Sequence, residues 1–198
     1  GLTRTGRFSA LTNHRNGLKQ PQGVSSRGRL PLQFLLGEMS CQTFIRETDV
    51  GQFDGFNQLI DDGGQLSYLS NRSPALQPVP HGIHGISNAV FDSPWPKLVA
   101  AKAALKECID GDQISADALI TLMQDPTTYH DDQLPQTGVS LELERLLSAR
   151  FIRSERYGTR ATTAVLIRHS GEIRVVEQNF DAQGKTQRNE FSFITEIS

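Results

Sequence analysis

The sequence predicts an α+β protein in which antiparallel strands near both ends of the chain flank a helical middle. Strand-like runs occur between Phe8 and Ser70 and again between Thr162 and Ile194, whereas the intervening residues follow a helical periodicity. The strands are joined by glycine-containing turns, as in hairpins, and not by regular βαβ crossovers. This pattern favours α+β layers over a doubly wound parallel sheet.

The first part of the chain predicts a strand and two helices. Residues 8–12 read as a strand, because they follow a Thr-Gly turn and precede a polar stretch. An exposed loop is expected over residues 18–26. Ser26 is expected to cap a helix, and another short helix is predicted over residues 41–48. The first of these helices is expected to present three apolar side chains on one face: Leu30, Phe34 and Leu35.

The clearest hairpin joins residues 56–60 to residues 65–70. The turn between them, Asp61-Asp62-Gly63-Gly64, contains glycines, which accept a positive φ without steric cost. Residues 82–87 are predicted to form a further short strand.

Three helices are predicted in the middle of the chain. Pro94 and Pro96 mark the start of a long amphipathic helix, and Ser115 is expected to cap a second helix that Asp125-Pro126 ends. A third helix is predicted over residues 140–147, after a polar loop. The apolar positions of the first two helices are Leu98, Val99, Ala101, Leu105, Ile109, Leu119, Ile120 and Met123.

The last part of the chain predicts an antiparallel meander of three strands. The strand-like runs cover residues 162–167, 173–177 and 190–194. Turn-forming residues separate them at Ser170-Gly171 and at residues 181–184.

Length and composition predict one soluble globular domain over residues 1–198. The formal net charge of −2, from 20 basic and 22 acidic residues, gives no basic surface for a nucleic acid backbone. No apolar run approaches the roughly 20 residues that cross a bilayer. Cys41 and Cys108 lie far apart, which favours neither a disulfide nor a zinc site and suggests a reducing cytoplasm. The start at Gly1 suggests that an upstream segment is missing.

Residues 82–97 combine glycines, polar side chains and the single tryptophan in one connection. His81 and His84 form an HxxH pair, but the glycines around His84 argue against a helix that would align them, so a loop-lining role is favoured over metal ligation. Asn88 is expected either to cap a turn or to stabilise an oxyanion through its amide. Trp95 is expected to cover the core.

Arg160 follows a glycine turn at the entrance to a predicted strand, where it could be a surface cation or could clamp a carboxylate or propionate. Arg150 and Arg153 are competing candidates. The sequence carries no GxSxG, HExxH, P-loop or complete Rossmann motif, so it gives no local support for the common hydrolase and nucleotide sites.

Six short segments, in order along nearly the whole chain, resemble the NRDE family, also called the transport and Golgi organisation protein 2 family. The family's opening Met-Cys and its Asn-Arg-Asp-Glu motif are not in this sequence, which corresponds to the remaining three quarters or so. The matching segments are GRFSALTNHR (6–15), SRG (26–28), GFN (55–57), YLSNR (68–72), GISN with PWPK (85–88 and 94–97) and YGTR (157–160).

The resemblance implies a four-layer αββα fold like that of the N-terminal-nucleophile hydrolases. In those enzymes an N-terminal cysteine attacks the substrate and its own amine acts as base. The resemblance would make the full-length protein a cysteine amidohydrolase for a linear or acyl amide, with Asn88 as oxyanion donor and Arg160 in the pocket wall. The chain as given, which starts at Gly1, would lack the nucleophile for that reaction.

Family members are also associated with haem trafficking and lipid homeostasis, so the resemblance equally implies a haem-binding protein. In this interpretation His84, Trp95, Arg15 and Arg160 line the haem site, and the partners are haem, or a small acyl ligand, and haem-donor or haem-acceptor proteins. It ranks ahead of the amidohydrolase, because haem transfer needs no nucleophile. An intracellular scaffold without a reaction is the third alternative.

Overall fold

The computed structural model describes residues 1–17, 23–73 and 77–195, and it confirms the α+β class. The described chain forms two compact units, Gly1–Ser93 and Pro94–Thr195. A single family domain over residues 1–198 stays a prediction. Of the loop predicted over residues 18–26, residues 18–22 lie outside the described residues.

The first unit contains a four-stranded antiparallel sheet with its strands in chain order. Two helices and a one-turn 3-10 helix (Val50–Gln52) lie between the first and second strands. The elements are β1 (Phe8–Asn13), α1 (Arg29–Leu36), α2 (Cys41–Glu47), β2 (Phe56–Asp61), β3 (Ser67–Ser70) and β4 (Gln77–Pro78).

One face of this sheet builds the apolar core with α1 and α2. Alternation along β2 places Phe56 and Ile60 on that face, and the register puts Leu69 beside them. Phe34 of α1 and Phe44 of α2 pack edge to face with ring centroids 5.2 Å apart. The opposite face carries Thr12, Asn57 and Tyr68, called here the polar face.

The predicted hairpin between β2 and β3 is confirmed. Gly63 adopts a φ of 97° at its turn, and the Asp61 carboxylate accepts the Gly63 N–H at 2.8 Å. The short side chain of Asp61 thus stabilises a conformation that glycine adopts readily.

Two local predictions in this unit are wrong. Gly28, not Ser26, is the residue that precedes α1, and no side chain caps that helix. Residues 82–87 form no strand, because Gly82 adopts a φ of 135° and the main chain beyond it bonds to side chains of the polar face instead of a strand ladder. The fourth strand is the two-residue β4.

The second unit pairs three helices with the predicted three-stranded antiparallel meander, which is confirmed. A one-turn 3-10 helix (Asp131–Gln133) lies in the polar loop before the third of these helices. The elements are α3 (Pro96–Asp110), α4 (Ala116–Leu122), α5 (Leu141–Leu147), β5 (Ala161–Ile167), β6 (Glu172–Asp181) and β7 (Gly184–Ile194).

The core of the second unit forms where α4 packs on β5 and β6. Ala116, Ile120, Ala164 and Val176 are buried together there. Ser115 caps α4 as predicted, since its hydroxyl accepts the Ala118 N–H at 3.1 Å. The long helix α3 is confirmed, but none of its side chains is fully buried; its predicted apolar face leaves two residues about half exposed, Val99 (54%) and Ile109 (47%).

Within each unit, helices pack on an antiparallel sheet. A four-layer αββα stack would require a particular arrangement of the two units and stays a prediction. Among the described helices, none is both long and apolar enough to cross a membrane.

Candidate functional site

The candidate site is the connection over residues 82–93, called here the 82–93 loop, which lies on the polar face of the first sheet. Three side chains of that face bond to its main chain. The Thr12 hydroxyl donates to the Ser87 carbonyl at 2.8 Å, the Asn57 amide donates to the Ala89 carbonyl at 2.8 Å, and the Phe91 N–H donates to the Tyr68 hydroxyl at 3.3 Å. The sheet therefore positions the loop through side chains.

Asn57 is the centre of this network. Its side-chain oxygen accepts the Tyr68 hydroxyl at 2.7 Å, and its Nδ2 also reaches the Thr12 hydroxyl at 3.3 Å. Asn57 and Tyr68 are 1% and 2% exposed. Because buried polar groups are costly unless they are paired, this network fixes the geometry of the loop.

The loop holds an imidazole and a carboxylate in direct contact. His84 Nδ1 lies 2.6 Å from Asp92 Oδ2, and the Gly85 N–H donates to Asp92 Oδ1 at 2.9 Å. The Asp92 N–H donates to the Gly85 carbonyl at 2.9 Å, and the His84 ring stacks on Phe91 with centroids 5.2 Å apart. These contacts fix the orientation of the imidazole.

The second ring nitrogen of His84 is buried and has no hydrogen-bond partner among the residues that the structure describes. Gly82 covers it, since a Cβ at that position would lie 3.3 Å from His84 Nε2. In the tautomer that carries its proton on Nδ1, the imidazole would donate to Asp92 and direct the Nε2 lone pair toward Gly82. His81, the other member of the HxxH pair, is exposed and lies outside this arrangement.

Asn88 and Arg15 meet at the end of β1. The Asn88 amide donates to the Asn13 carbonyl at 2.8 Å, and the Arg15 N–H donates to the Asn88 carbonyl at 2.7 Å. Asn88 therefore holds the turn to β1, as expected of a capping amide. Within the described part of the chain this is the hydrogen bond that the amide donates, and a role as an oxyanion donor stays a prediction.

A titratable residue missed by the sequence analysis lies beside this junction. The main-chain N–H of His14 donates to the Gly55 carbonyl at 2.9 Å, and among the described residues its buried side-chain Nδ1 has no hydrogen-bond partner. Burial, and then the charge of Arg72, lowers the pKa of the His14 imidazole below its ordinary value.

The other predicted site residues, Trp95 and Arg160, belong to the second unit. Trp95 precedes α3 and is partly buried, with the Lys97 ammonium 5.8 Å from its ring centroid. Arg160 is exposed, and its carbonyl accepts the Phe180 N–H at 2.8 Å.

The two competing arginines differ in environment. Arg150 is largely buried, with 10% of its side chain exposed, and it pairs with Asp125, whereas the exposed Arg153 has its guanidinium 5.0 Å from the Phe151 ring centroid. Arg150 already has a carboxylate partner and is therefore the weaker candidate for binding an anionic ligand.

Asp92 was not singled out from the sequence, and Asn57 and Tyr68 entered only through the family motifs. No spacing rule connects His84 to a carboxylate eight positions later in a loop. The buried pairing of Asn57 depends on the sheet register, which places it opposite Thr12. The sequence offered one signal for this role, a polar asparagine within a predicted strand.

Comparison with known proteins places the chain in a family. The Transport and Golgi organisation 2 family matches residues 1–182. The Transport and Golgi organization 2 homolog of Mus musculus is 26% identical over 195 residues, covering 90% of this chain and 70% of the relative. The homologues of Bos taurus and Homo sapiens are each 27% identical with the same coverage. The chain therefore belongs to the Transport and Golgi organisation 2 family, the NRDE family.

Proposed function

We propose that the protein binds haem and takes part in haem trafficking, with His84 as the axial ligand. The observation that carries the proposal is the His84 imidazole, whose Nδ1 is held by Asp92 while Nε2 is buried without a hydrogen-bond partner among the described residues. Imidazoles that ligate iron or other metals commonly donate their second N–H to a carboxylate, which fixes the tautomer and raises the basicity of the ligand.

Two aromatic rings beside His84 support the proposal, because aromatic side chains can pack against the flat, apolar face of a macrocycle. Phe91 stacks on the imidazole, and its ring also lies 5.3 Å from that of Tyr68. When bound, haem would supply an iron that accepts the Nε2 lone pair. Because Gly82 covers Nε2, ligation requires the Gly82 turn to move, and this movement provides a way to load and release the ligand.

The Arg15 guanidinium is proposed to bind a haem propionate. The main chain of Arg15 is hydrogen-bonded to Asn88 of the 82–93 loop, which also contains His84. Exchange with haem-donor or haem-acceptor proteins and a cytoplasmic location also belong to this proposal.

Haem titration tests the function. We expect a saturable shift of the Soret band and quenching of the fluorescence of Trp95, the single tryptophan. His84→Ala should weaken binding at least about tenfold, because a ligand bond is lost. His81→Ala is the matched control, since His81 is exposed and lies three residues away. The absence of any spectral change at micromolar haem would contradict the proposal.

A cysteine amidohydrolase is the second candidate, favoured by the fixed position of the Asn88 amide at the end of β1. Its nucleophile would be an N-terminal cysteine of the complete protein. That cysteine should label with a thiol-directed acyl probe, and Asn88→Ala should abolish turnover without preventing labelling. An unreactive N-terminal cysteine would exclude this candidate.

A further inference from the structure

The second unit contains a cleft between two turns that no proposed role of His84 uses. One turn spans residues 152–159 and the other residues 181–184, and the space between them has a volume of about 660 Å³. This volume lies within the range typical of sites for small molecules. Three arginines line it, so we call it the arginine cleft: Arg153, Arg156 and Arg160.

Main-chain and hydroxyl hydrogen bonds give the first turn a defined shape. The Thr159 N–H donates to the Ile152 carbonyl at 2.9 Å, and the Ser154 N–H donates to the Tyr157 carbonyl at 3.0 Å. The Ser154 hydroxyl also donates to the Tyr157 carbonyl at 2.7 Å. The turn therefore holds its arginines on a small, closed hairpin.

The charges in the cleft are mainly positive. Its acidic lining residues are Glu155 and Asp181, and Asp181 Oδ1 already accepts the Gln183 and Gly184 N–H groups at 2.8 and 3.0 Å. Three guanidinium groups against two carboxylates leave a net positive charge, in a chain whose formal net charge is −2.

The arginines of the cleft also differ from the other arginines of this unit. Outside the cleft, each arginine of the second unit pairs with a carboxylate: Arg145, Arg150, Arg168, Arg174 and Arg188. Within the described residues, none of the three cleft arginines forms such a pair. The stacking of Arg153 on Phe151 leaves the N–H edges of its guanidinium available.

We infer that the arginine cleft binds the phosphate group of an organic phosphate. Guanidinium groups bind phosphate oxygens through paired, charge-assisted hydrogen bonds. One phosphate monoester offers up to two negative charges and three acceptor oxygens, which suits several guanidinium groups better than a single carboxylate does. The phosphate could belong to a soluble ester or to a lipid head group.

Two binding measurements on the 198-residue chain test the inference and separate these sources. Calorimetric titration with glycerol 3-phosphate tests a soluble ester. Flotation with phosphatidylcholine vesicles, with and without phosphatidate, tests a lipid head group. Binding in either assay supports the inference, and binding in neither overturns it.

Single substitutions locate the site. Arg153→Gln, Arg156→Gln and Arg160→Gln should each weaken binding about tenfold or more, because each removes a charge-assisted hydrogen bond. Arg168→Gln is the matched control, since it removes an exposed arginine of the same unit that pairs with Glu172. Circular dichroism checks that each variant folds. An equal loss in the control would indicate unspecific attraction and overturn the inference.

Haem titration of Arg156→Gln distinguishes this inference from the proposed function. An unchanged haem affinity together with reduced phosphate binding would support a separate phosphate site. An equal reduction of the haem affinity and the phosphate affinity would assign the cleft to a haem propionate and overturn the inference. The role of His84 is tested separately by His84→Ala.

Discussion

His84 and Asp92 are joined side chain to side chain, with Nδ1 of the imidazole 2.6 Å from Oδ2 of the carboxylate. Asp92 adopts a φ of 53°, in the left-handed region that few residues other than glycine occupy. Its carboxylate and its N–H both bond back to the segment at Gly85. The 82–93 loop therefore stabilises an uncommon conformation of Asp92, and that conformation orients the imidazole.

Substitution of Asp92 should loosen this loop. Asp92→Ala removes the carboxylate hydrogen bonds to His84 and Gly85 and leaves alanine at a positive φ, so we expect a loss of about 2–4 kcal/mol in the free energy of unfolding. Asp112→Ala is the control, because Asp112 has a φ of 51° but is exposed at the end of α3. Urea unfolding measures both variants. Equal losses would mean that backbone strain alone, and not the bonds to His84 and Gly85, accounts for the effect.

Asn57 should matter for stability more than its size suggests. Asn57→Ala removes the acceptor of the buried Tyr68 O–H and the side-chain donor to the Ala89 carbonyl, which should cost about 2–4 kcal/mol. Asn189→Ala removes a partly buried side chain that accepts the amide of the exposed Gln187 on β7, and it should change stability by less than about 0.5 kcal/mol. Urea unfolding of the two variants compares them, and similar small losses would show that the network does not hold the loop.

Acid should remove the contribution that Asp125 makes to the stability of the folded protein. Hydrogen bonds from the Thr127 hydroxyl, from Arg150 and from the Thr127 N–H hold the Asp125 pKa at about 2, below its ordinary value of 3.8. A lowered pKa in the folded state stabilises the protein above pH 4, and this contribution is lost as the pH falls from about 4 to 2. It should amount to about 1–2 kcal/mol.

Asp125→Asn should remove that part of the pH dependence. Chemical unfolding between pH 2 and 5 measures the slope of stability against pH for the wild type and the variant. Asp132→Asn, which changes an exposed carboxylate of the same unit, is the control substitution. A slope unchanged in Asp125→Asn would show that the Arg150 pair is not formed in solution.

The two cysteines should react at different rates. Burial, and then the neighbouring Asp62, raises the pKa of the Cys41 thiol to about 12, so little thiolate forms at neutral pH. Cys108 lies on α3 and is partly exposed. Peptide mapping after brief alkylation of the folded protein should find Cys108 labelled well before Cys41. Equal labelling would mean that the core around α2 opens readily.

The sequence correctly predicted the elements that depend on residues close together in the chain. The β2–β3 hairpin follows from the glycines after Asp61, and α4 follows from the Ser115 cap and the Asp125-Pro126 stop. The start of α1 was missed because Ser26 and Gly28 are both acceptable residues before a helix. The strand predicted over residues 82–87 was wrong, because the main chain of this segment bonds to side chains and not to a neighbouring strand. Hydrophobic periodicity does not reveal such partners.

The candidate site was harder to predict than the fold. His84 was identified from its glycine-rich context, but its partner Asp92 is set by a loop conformation with a positive φ. The pairing of Asn57 with Tyr68 depends on two strands meeting in one register. Such relations join residues that are distant in sequence, and they follow from tertiary structure and not from local patterns.

His84 is the proposed haem ligand, and electron paramagnetic resonance of the ferric haem complex tests this role most directly. Wild type and His81→Ala should give the same histidine-ligated spectrum. His84→Ala should lose that spectrum, and added imidazole should restore it, because a free imidazole can replace the missing ring. A histidine-ligated spectrum that persists unchanged in His84→Ala would contradict the account.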